Sequence, residues 1–314
     1  MGRQVERLVS AGAVPIGMTA VPGPGTGWQT WGSTERGPTV NPWDPRVVPG
    51  GSSAGAAVAV ATGMVPLATG SDGAGSVRIP AAWCGVLGLK ATNGTVPPLD
   101  RSGLGVGGVL ARTVADLGVW LAVQGMPAPT PTTRPLRVSW SADLGFADTE
   151  PEIASIARAA LDSLTATGGL VELVEIPLDV VLLDPEPAWT SLRRRAGGAR
   201  SRAKIREKDG ATTATADVTG IRAENDRRLR DVFAAVDLVA TPTTPNPPHR
   251  HEGPGEVMSV ALTWAFNVSG HPAISVPAGF GADGLPVGLQ LVARHRHEGD
   301  LLTAVGSSVR LARP

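Results

Sequence analysis

Residues 41–92 read NPWDPRVVPGGSSAGAAVAVATGMVPLATGSDGAGSVRIPAAWCGVLGLKAT and contain two glycine-rich turns. The first turn is Gly50-Gly51-Ser52-Ser53-Ala54-Gly55, and the second is Gly70-Ser71-Asp72-Gly73-Ala74-Gly75-Ser76-Val77-Arg78. Glycine allows backbone conformations in which consecutive N–H groups point to one side of a turn. Such a turn can bind a phosphate or stabilise a developing oxyanion. The small apolar residues between the turns, about 53–63, predict a tightly packed helix.

Three interpretations of the two turns are open from the residues alone. A phosphate-binding loop needs a lysine directly after its last glycine, and neither turn has one. A nucleophile elbow of the Gly-x-Ser-x-Gly type matches residues 51–55 with Ser53 at its centre. That elbow needs a preceding strand, for which Val47-Val48-Pro49 is poor sequence, and a later acid and histidine, for which His271 is the candidate. In the third interpretation the turns are structural and their serines satisfy backbone groups.

The composition excludes several classes of function. The 314 residues include 28 basic and 28 acidic side chains, which gives no indication of binding to nucleic acid or to an anionic membrane. Cys84 is the one cysteine, so no internal disulfide can form. The sequence contains no apolar run long enough to span a membrane, and its first residues lack the apolar core of a signal peptide. We therefore expect a soluble, cytoplasmic protein.

The histidines do not indicate a metal site. Their spacing, with one another and with acidic residues, is not that of a ligand set. They are His249, His251, His271, His295 and His297. We expect no metal and no cofactor, and a structural role for His271.

Patterns typical of strands and helices alternate along the chain, which indicates an α/β protein. Predicted strands cover residues 13–16, 65–69, 136–140, 171–176, 238–241, 273–276 and 287–292, and predicted helices begin near residue 3 and cover 53–63, 112–124 and 150–166. Thr113 and Asp116 lie near the start of the third of these helices. Thr149 and Glu152 have the spacing of a capping box, and Gly168-Gly169 would end the helix that follows.

Residues 190–232 are polar and basic, with three arginines at 193–195. They predict a solvated helical face, with an anion-binding patch as the alternative.

The segment 41–92 resembles the amidase signature, a long and specific pattern. The resemblance continues at residues 111–116, 237–243, 266–273 and 284–292, and it is weakest at about 180–235. It implies a single amidase-signature-like domain over residues 1–314, with a mixed β-sheet covered by helices on both faces. It also implies hydrolysis of a small-molecule carboxamide through a serine acyl-enzyme, without nucleic-acid or membrane partners, and it allows a homodimer.

The resemblance assigns roles to particular residues. Ser76 takes the position of the nucleophile, and Ser52, 24 residues earlier, that of a bridging serine beside a cis peptide bond. The backbone N–H groups of Gly73, Ala74, Gly75 and Ser76 would form the oxyanion hole. Ser53, Asp72 and Arg78 match positions that support this loop. Ala74 replaces the usual glycine, which requires that this position adopt no positive φ.

The third member of the family's triad is a lysine, which in the family lies before the point where this sequence begins. The lysines of this sequence are Lys90, Lys204 and Lys208. Lys90 has its own counterpart in the family, and the other two lie in the variable stretch. We therefore expect the catalytic lysine to be missing from these residues and amidase activity to be low. A catalytically impaired amidase-like binding protein and an amidotransferase A-subunit-like protein are the alternatives.

Overall fold

An eight-stranded mixed β-sheet forms the centre of the computed structural model, which describes residues 2–23, 29–96, 102–126, 134–167, 172–196, 218–255 and 257–306. Its strands are β3 (Leu67–Asp72), β4 (Leu87–Lys90), β5 (Val106–Ala111), β6 (Leu136–Trp140), β7 (Leu173–Glu175), β8 (Leu238–Pro242), β9 (Ala273–Phe280) and β10 (Pro286–Ala293). Two short strands, β1 (Ser33–Thr34) and β2 (Gly37–Pro38), form a separate antiparallel ribbon.

The strand order in the large sheet is β3-β5-β4-β9-β10-β8-β6-β7. The first six strands of this order, from β3 through β5, β4, β9 and β10 to β8, pair antiparallel with one another. Strand β6 pairs parallel with both β8 and β7. Gly70 lies opposite Gly108, and Gly88 lies opposite Ser275. Because β3 is the first strand in this order, it is an edge strand of the sheet. The second glycine-rich turn begins at its end.

The described helices cover both faces of this sheet. They are α1 (Arg3–Ser10), α2 (Ala54–Ala61), α3 (Arg78–Cys84), α4 (Val114–Val123), α5 (Pro151–Thr167), α6 (Glu186–Ala196), α7 (Val218–Ala235), α8 (Ala261–Val268) and α9 (Glu298–Val305). Because side chains alternate along a strand, β10 shows the two layers. Leu289 and Leu291 pack with apolar residues of α4, α5 and α9. Gly288 and Gln290 point to the other face, where α3 and α8 lie.

Close packing of α3 on the sheet depends on glycine at two positions. A Cβ at Gly288 would lie 2.5 Å from Ala82 Cβ, and a Cβ at Gly88 would lie 2.5 Å from Ala81 Cβ. These two glycines let α3 approach β4 and β10 closely, and α3 begins two residues after Ser76. The sheet therefore fixes the helix that follows the candidate nucleophile.

Most predicted elements are confirmed by the structure. Strand β6 has the predicted bounds, and the side chain of Thr113 caps α4 by accepting a hydrogen bond from Asp116 N at 3.1 Å. The arginines at 193–195 are exposed on α6. Residues 197–217 of the predicted solvated stretch lie outside the described residues. Among the described helices, none combines the length and apolar character that crossing a membrane needs.

Two local predictions are wrong. Residues 13–16 are not a strand, because they pair with no other strand of the described chain and remain exposed. Thr149 and Glu152 do not form a capping box: Thr149 Oγ1 donates to Ala142 O at 3.0 Å, and Glu152 Oε1 accepts from Ala282 N at 2.8 Å. Both side chains bond to backbone groups outside the helix, and neither bonds to the backbone N–H groups at the start of α5. Gly168-Gly169 lie outside the described residues.

Candidate active site

The two glycine-rich turns are in direct contact. The N–H of Ser53 donates to the carbonyl oxygen of Ser76 at 3.1 Å, which brings both candidate catalytic serines to one place. Ser52 and Ser76 are half-buried, and the Gly51–Ser52 peptide bond is cis. A Cβ at Gly51 would overlap the carbonyl oxygen of Thr30, so the backbone of this turn packs too closely for any other residue.

Every carbonyl group from Asp72 to Ser76 accepts a hydrogen bond. The donors belong to helices α3, α6 and α8 or to the residue preceding α2. The bonds are Asn267 Nδ2 to Asp72 O (3.0 Å), Trp189 Nε1 to Gly73 O (2.7 Å), Thr263 Oγ1 to Ala74 O (2.7 Å), Ile79 N to Gly75 O (2.7 Å) and Ser53 N to Ser76 O (3.1 Å). The loop is therefore fixed from several sides.

Fixing the carbonyl groups also fixes the N–H groups. In a trans peptide unit the C=O and the following N–H point in opposite directions, so a bonded carbonyl sets where the next N–H points. Among the described residues, the N–H groups of Gly73, Ala74 and Ser76 have no acceptor. The N–H of Gly75 donates to Asp72 Oδ1 at 2.8 Å and is not available to an oxyanion. Of the four expected oxyanion donors, three remain free.

The backbone of this loop agrees with its sequence. Gly75 has a φ of +110°, and a Cβ there would lie 2.4 Å from Thr263 Oγ1. Ala74 is not among the described residues of positive φ, so alanine replaces the usual glycine without strain.

Asp72 and Arg78 form a buried ion pair beneath the loop. Both side chains are fully buried, and Arg78 donates to the Asp72 carboxylate through Nε at 3.0 Å and through Nη2 at 2.8 Å. The remaining Arg78 hydrogens reach Thr263 O at 3.0 Å, Gln290 Oε1 at 2.7 Å and Asn267 Oδ1 at 2.6 Å. The pair joins the start of α3 to α8 and β10.

The Asp72 carboxylate also holds the turn from inside. It accepts from the backbone N–H groups of Gly75, Val77 and Arg78. Burial by itself would raise its pKa, but the charge and hydrogen bonds of Arg78 outweigh burial and keep the pKa of Asp72 well below its usual range. Asp72 is therefore ionised at neutral pH and paired with the Arg78 guanidinium.

Ser53 is not placed as an elbow nucleophile. It is buried at the start of α2, and residues 39–52 immediately before it contain no strand, only an isolated bridge between Val47 and Arg250. His271, the histidine that an elbow would need, is buried with Nδ1 2.9 Å from Ser269 Oγ. Burial, with smaller effects of His295 and Lys90, lowers the pKa of His271 well below its ordinary value. The Ser53 elbow is therefore not supported.

Lys90, the lysine within the described residues, does not contact either candidate catalytic serine. Its Nζ donates to His271 O at 2.8 Å and to Ala91 O at 3.2 Å. Burial, followed by the charge of Arg78, lowers the pKa of Lys90 to about 7. Within the described ranges, no side chain hydrogen-bonds to the hydroxyl of Ser52 or Ser76. Lys204 and Lys208 lie outside those ranges.

The described residues contain no group of three or more histidine, cysteine, aspartate or glutamate side chains that could hold a metal ion.

Some residues that build the site were missed by the sequence analysis. Asn267 and Gln290 lie in segments of recognised resemblance, so that resemblance could have identified them. Trp189 lies in the stretch where the resemblance is weakest, and no local pattern links it to Gly73.

Known proteins are similar to this chain over nearly its whole length. A sequence profile of the family described as Amidase matches residues 2–185 and 188–302. An acylamidase of Rhodococcus erythropolis is 32% identical over 99% of this chain and 74% of its own length. The glutamyl-tRNA(Gln) amidotransferase A-subunit of Chloroflexus aurantiacus is 34% identical over 98% of this chain and 75% of its own length.

The solved structures agree. The crystal structure of an amidase superposes with a TM-score of 0.78 at 27% identity, covering 98% of this chain and 76% of that one. The similarity therefore includes both the sequence and the arrangement of the α/β sheet.

Proposed function

Because this chain belongs to the amidase signature family, we propose that it hydrolyses a small-molecule carboxamide through an acyl-enzyme on Ser76. Amidase activity in general is the function that the family match and the relatives support. The serine mechanism rests on the loop of residues 72–76. Each carbonyl group of this loop accepts a hydrogen bond, and the N–H groups of Gly73, Ala74 and Ser76 are free among the described residues.

In this mechanism Ser76 Oγ attacks the carbonyl carbon of the amide. Its proton passes to Ser52 and from there to a base, and the oxygen of the tetrahedral intermediate accepts hydrogen bonds from Gly73, Ala74 and Ser76 N–H. The C–N bond then breaks, and the leaving nitrogen takes up a proton. Water hydrolyses the acyl-serine and releases the carboxylate.

The base is the part of the triad that the described residues do not supply. A serine hydroxyl is a weak nucleophile without a proton acceptor. Lys90 is bonded to two backbone carbonyl groups and does not contact Ser52. We therefore expect slow turnover by the 314-residue polypeptide by itself. Turnover should rise when a small primary amine is added as an external base.

The nucleophile can be tested directly. With the small primary amine present as external base, a fluorophosphonate probe should label Ser76, and mass mapping of the adduct should place it there. Labelling should be absent in Ser76→Ala and retained in Ser53→Ala, the matched control in the neighbouring turn. An adduct on Ser53 would contradict the proposed mechanism.

The proton relay requires a second variant. We expect Ser52→Ala to lower the amine-assisted turnover of aliphatic and aromatic amides by orders of magnitude. The double variant Ser52→Ala/Ser76→Ala should be little worse than Ser76→Ala, because members of a catalytic unit are not additive. Unchanged turnover in Ser52→Ala would remove Ser52 from the mechanism.

A binding protein is the second candidate, because no described side chain accepts a hydrogen bond from the hydroxyl of Ser52 or Ser76. The two candidates differ in amine-assisted turnover. If the chain is an amidase, adding the amine raises the rate of amide hydrolysis, and Ser76→Ala abolishes that rise. If it is a binding protein, the amide is bound but is not hydrolysed with or without the amine.

A further inference from the structure

Trp189 reaches the serine loop from a distant part of the sequence. It lies in the first turn of α6, and its indole Nε1–H donates to Gly73 O at 2.7 Å across 116 residues of chain. Among the described residues, no other donor bonds to this carbonyl. The orientation of the Gly73–Ala74 peptide unit therefore depends on one side chain.

This peptide unit carries a free donor of the loop. Since Gly73 C=O and Ala74 N–H point in opposite directions, the indole turns the Ala74 N–H away from α6. The neighbouring units are held differently: the Ala74 carbonyl by Thr263 and the Gly75 carbonyl by Ile79 N within α3. Without the indole, the unit between Gly73 and Ala74 loses the hydrogen bond that fixes its direction.

The indole is itself held in place. Its ring centre lies 6.2 Å from that of Trp264 on α8, and the Arg193 guanidinium lies 5.6 Å above its own ring. Apolar contacts with Leu104, Ala188 and Val268 bury part of the side chain. A side chain locked by packing holds a donor more accurately than a mobile one.

We propose that Trp189 is a positioning residue that orients the Ala74 N–H toward the oxyanion. The proposal rests on the proposed function, because it assumes that the oxyanion forms at Ser76. It places part of the catalytic geometry on α6, in the stretch of about 180–235 where the sequence resemblance to the family is weakest.

The test uses an arylboronic acid on the full chain. The hydroxyl oxygen of Ser76 would form a bond to boron and release its proton to solvent, which yields a tetrahedral boronate anion that resembles the intermediate. The equilibrium affinity does not depend on how fast a base removes the proton. Binding can be measured by calorimetry, and the tetrahedral adduct by boron NMR.

The informative variant replaces Trp189 with 3-benzothienylalanine, which keeps the shape of the indole but has sulfur in place of N–H. Trp189→Phe is the genetic equivalent. Trp43 provides the matched control, since its half-buried indole donates to Cys84 O at 3.0 Å, away from the loop. Thermal unfolding of each variant confirms that it is folded.

We expect the benzothienyl residue at position 189 to weaken boronate binding at least about tenfold, since loss of one oxyanion donor typically costs about 10²–10³ in rate. The same replacement at Trp43 should leave the affinity unchanged. Equal affinity of wild type and the position-189 variant, with binding lost in Ser76→Ala, would overturn this inference and leave the proposed function standing. A wild type that forms no Ser76-dependent adduct would overturn both.

Discussion

Arg78→Met should test whether the buried ion pair holds the serine loop in place. The substitution keeps an unbranched apolar stem but removes all the donors that Arg78 directs at Asp72, Thr263, Gln290 and Asn267. The Asp72 carboxylate then remains buried with backbone and amide donors and loses its ion-pair partner, with only the weaker influence of the Lys90 charge left. Breaking a fully buried pair by removing one partner costs about 3–5 kcal/mol in unfolding free energy.

The loss should depend on pH in a defined direction. In wild type the pKa of Asp72 is held below its usual range, so its contribution is complete above the unfolded pKa of about 4 and does not change between about pH 5 and pH 7.5. In Arg78→Met, burial raises the pKa of Asp72 without opposition from Arg78. The folded variant then binds a proton as the pH falls, so its destabilisation should be smaller at about pH 5.

Urea unfolding followed by tryptophan fluorescence at both pH values measures the effect. Arg46→Met is the matched control, because the Arg46–Asp44 pair has similar length, 2.7 Å, but an arginine side chain that is 74% exposed. Exposed pairs contribute little, so this variant should unfold like wild type. If Arg78→Met lost no more stability than Arg46→Met, or lost the same amount at both pH values, the account of the buried pair would be incorrect.

Gly75 in the serine loop and the buried Lys90 can each be tested by one substitution. Gly75→Ala should abolish fluorophosphonate labelling of Ser76, because a Cβ there would lie 2.4 Å from Thr263 Oγ1 at a φ of +110°. Gly73→Ala is its control and should remain folded, since the nearest atom to its Cβ would be 3.9 Å away; equal labelling in the two variants would contradict the role of the Gly75 backbone. Lys90→Met tests the buried lysine: burial lowers its pKa from 10.5 to about 7, so the unfolded chain binds the extra proton and stability should rise with pH between these values. Urea unfolding between about pH 7 and pH 8.5 should show the rise in wild type and lose it in Lys90→Met; at higher pH the buried Cys84 thiol, whose pKa burial raises, contributes the opposite slope. An unchanged slope in Lys90→Met would contradict the low pKa.

Local sequence was sufficient for what depends on neighbouring residues. Glycine spacing marked the two turns, apolar periodicity located β6 and α5, and Thr113 was identified near the start of α4. These features are short-range, since a strand alternates over two residues and a cap acts over three. The long family resemblance then pointed to Ser52 and Ser76, whose turns the structure places in contact.

Tertiary structure decided which donors of the serine loop are free. The sequence treats Gly73, Ala74, Gly75 and Ser76 alike, yet the Asp72 carboxylate takes the N–H of Gly75 alone among them. It also decided that residues 13–16 stay unpaired, because a strand pattern becomes a strand only beside a partner. The bond from Trp189 to Gly73 has no local signature, since hydrogen bonds between residues far apart in sequence follow no period. The arrangement of helices around the sheet therefore determines the geometry of the candidate site.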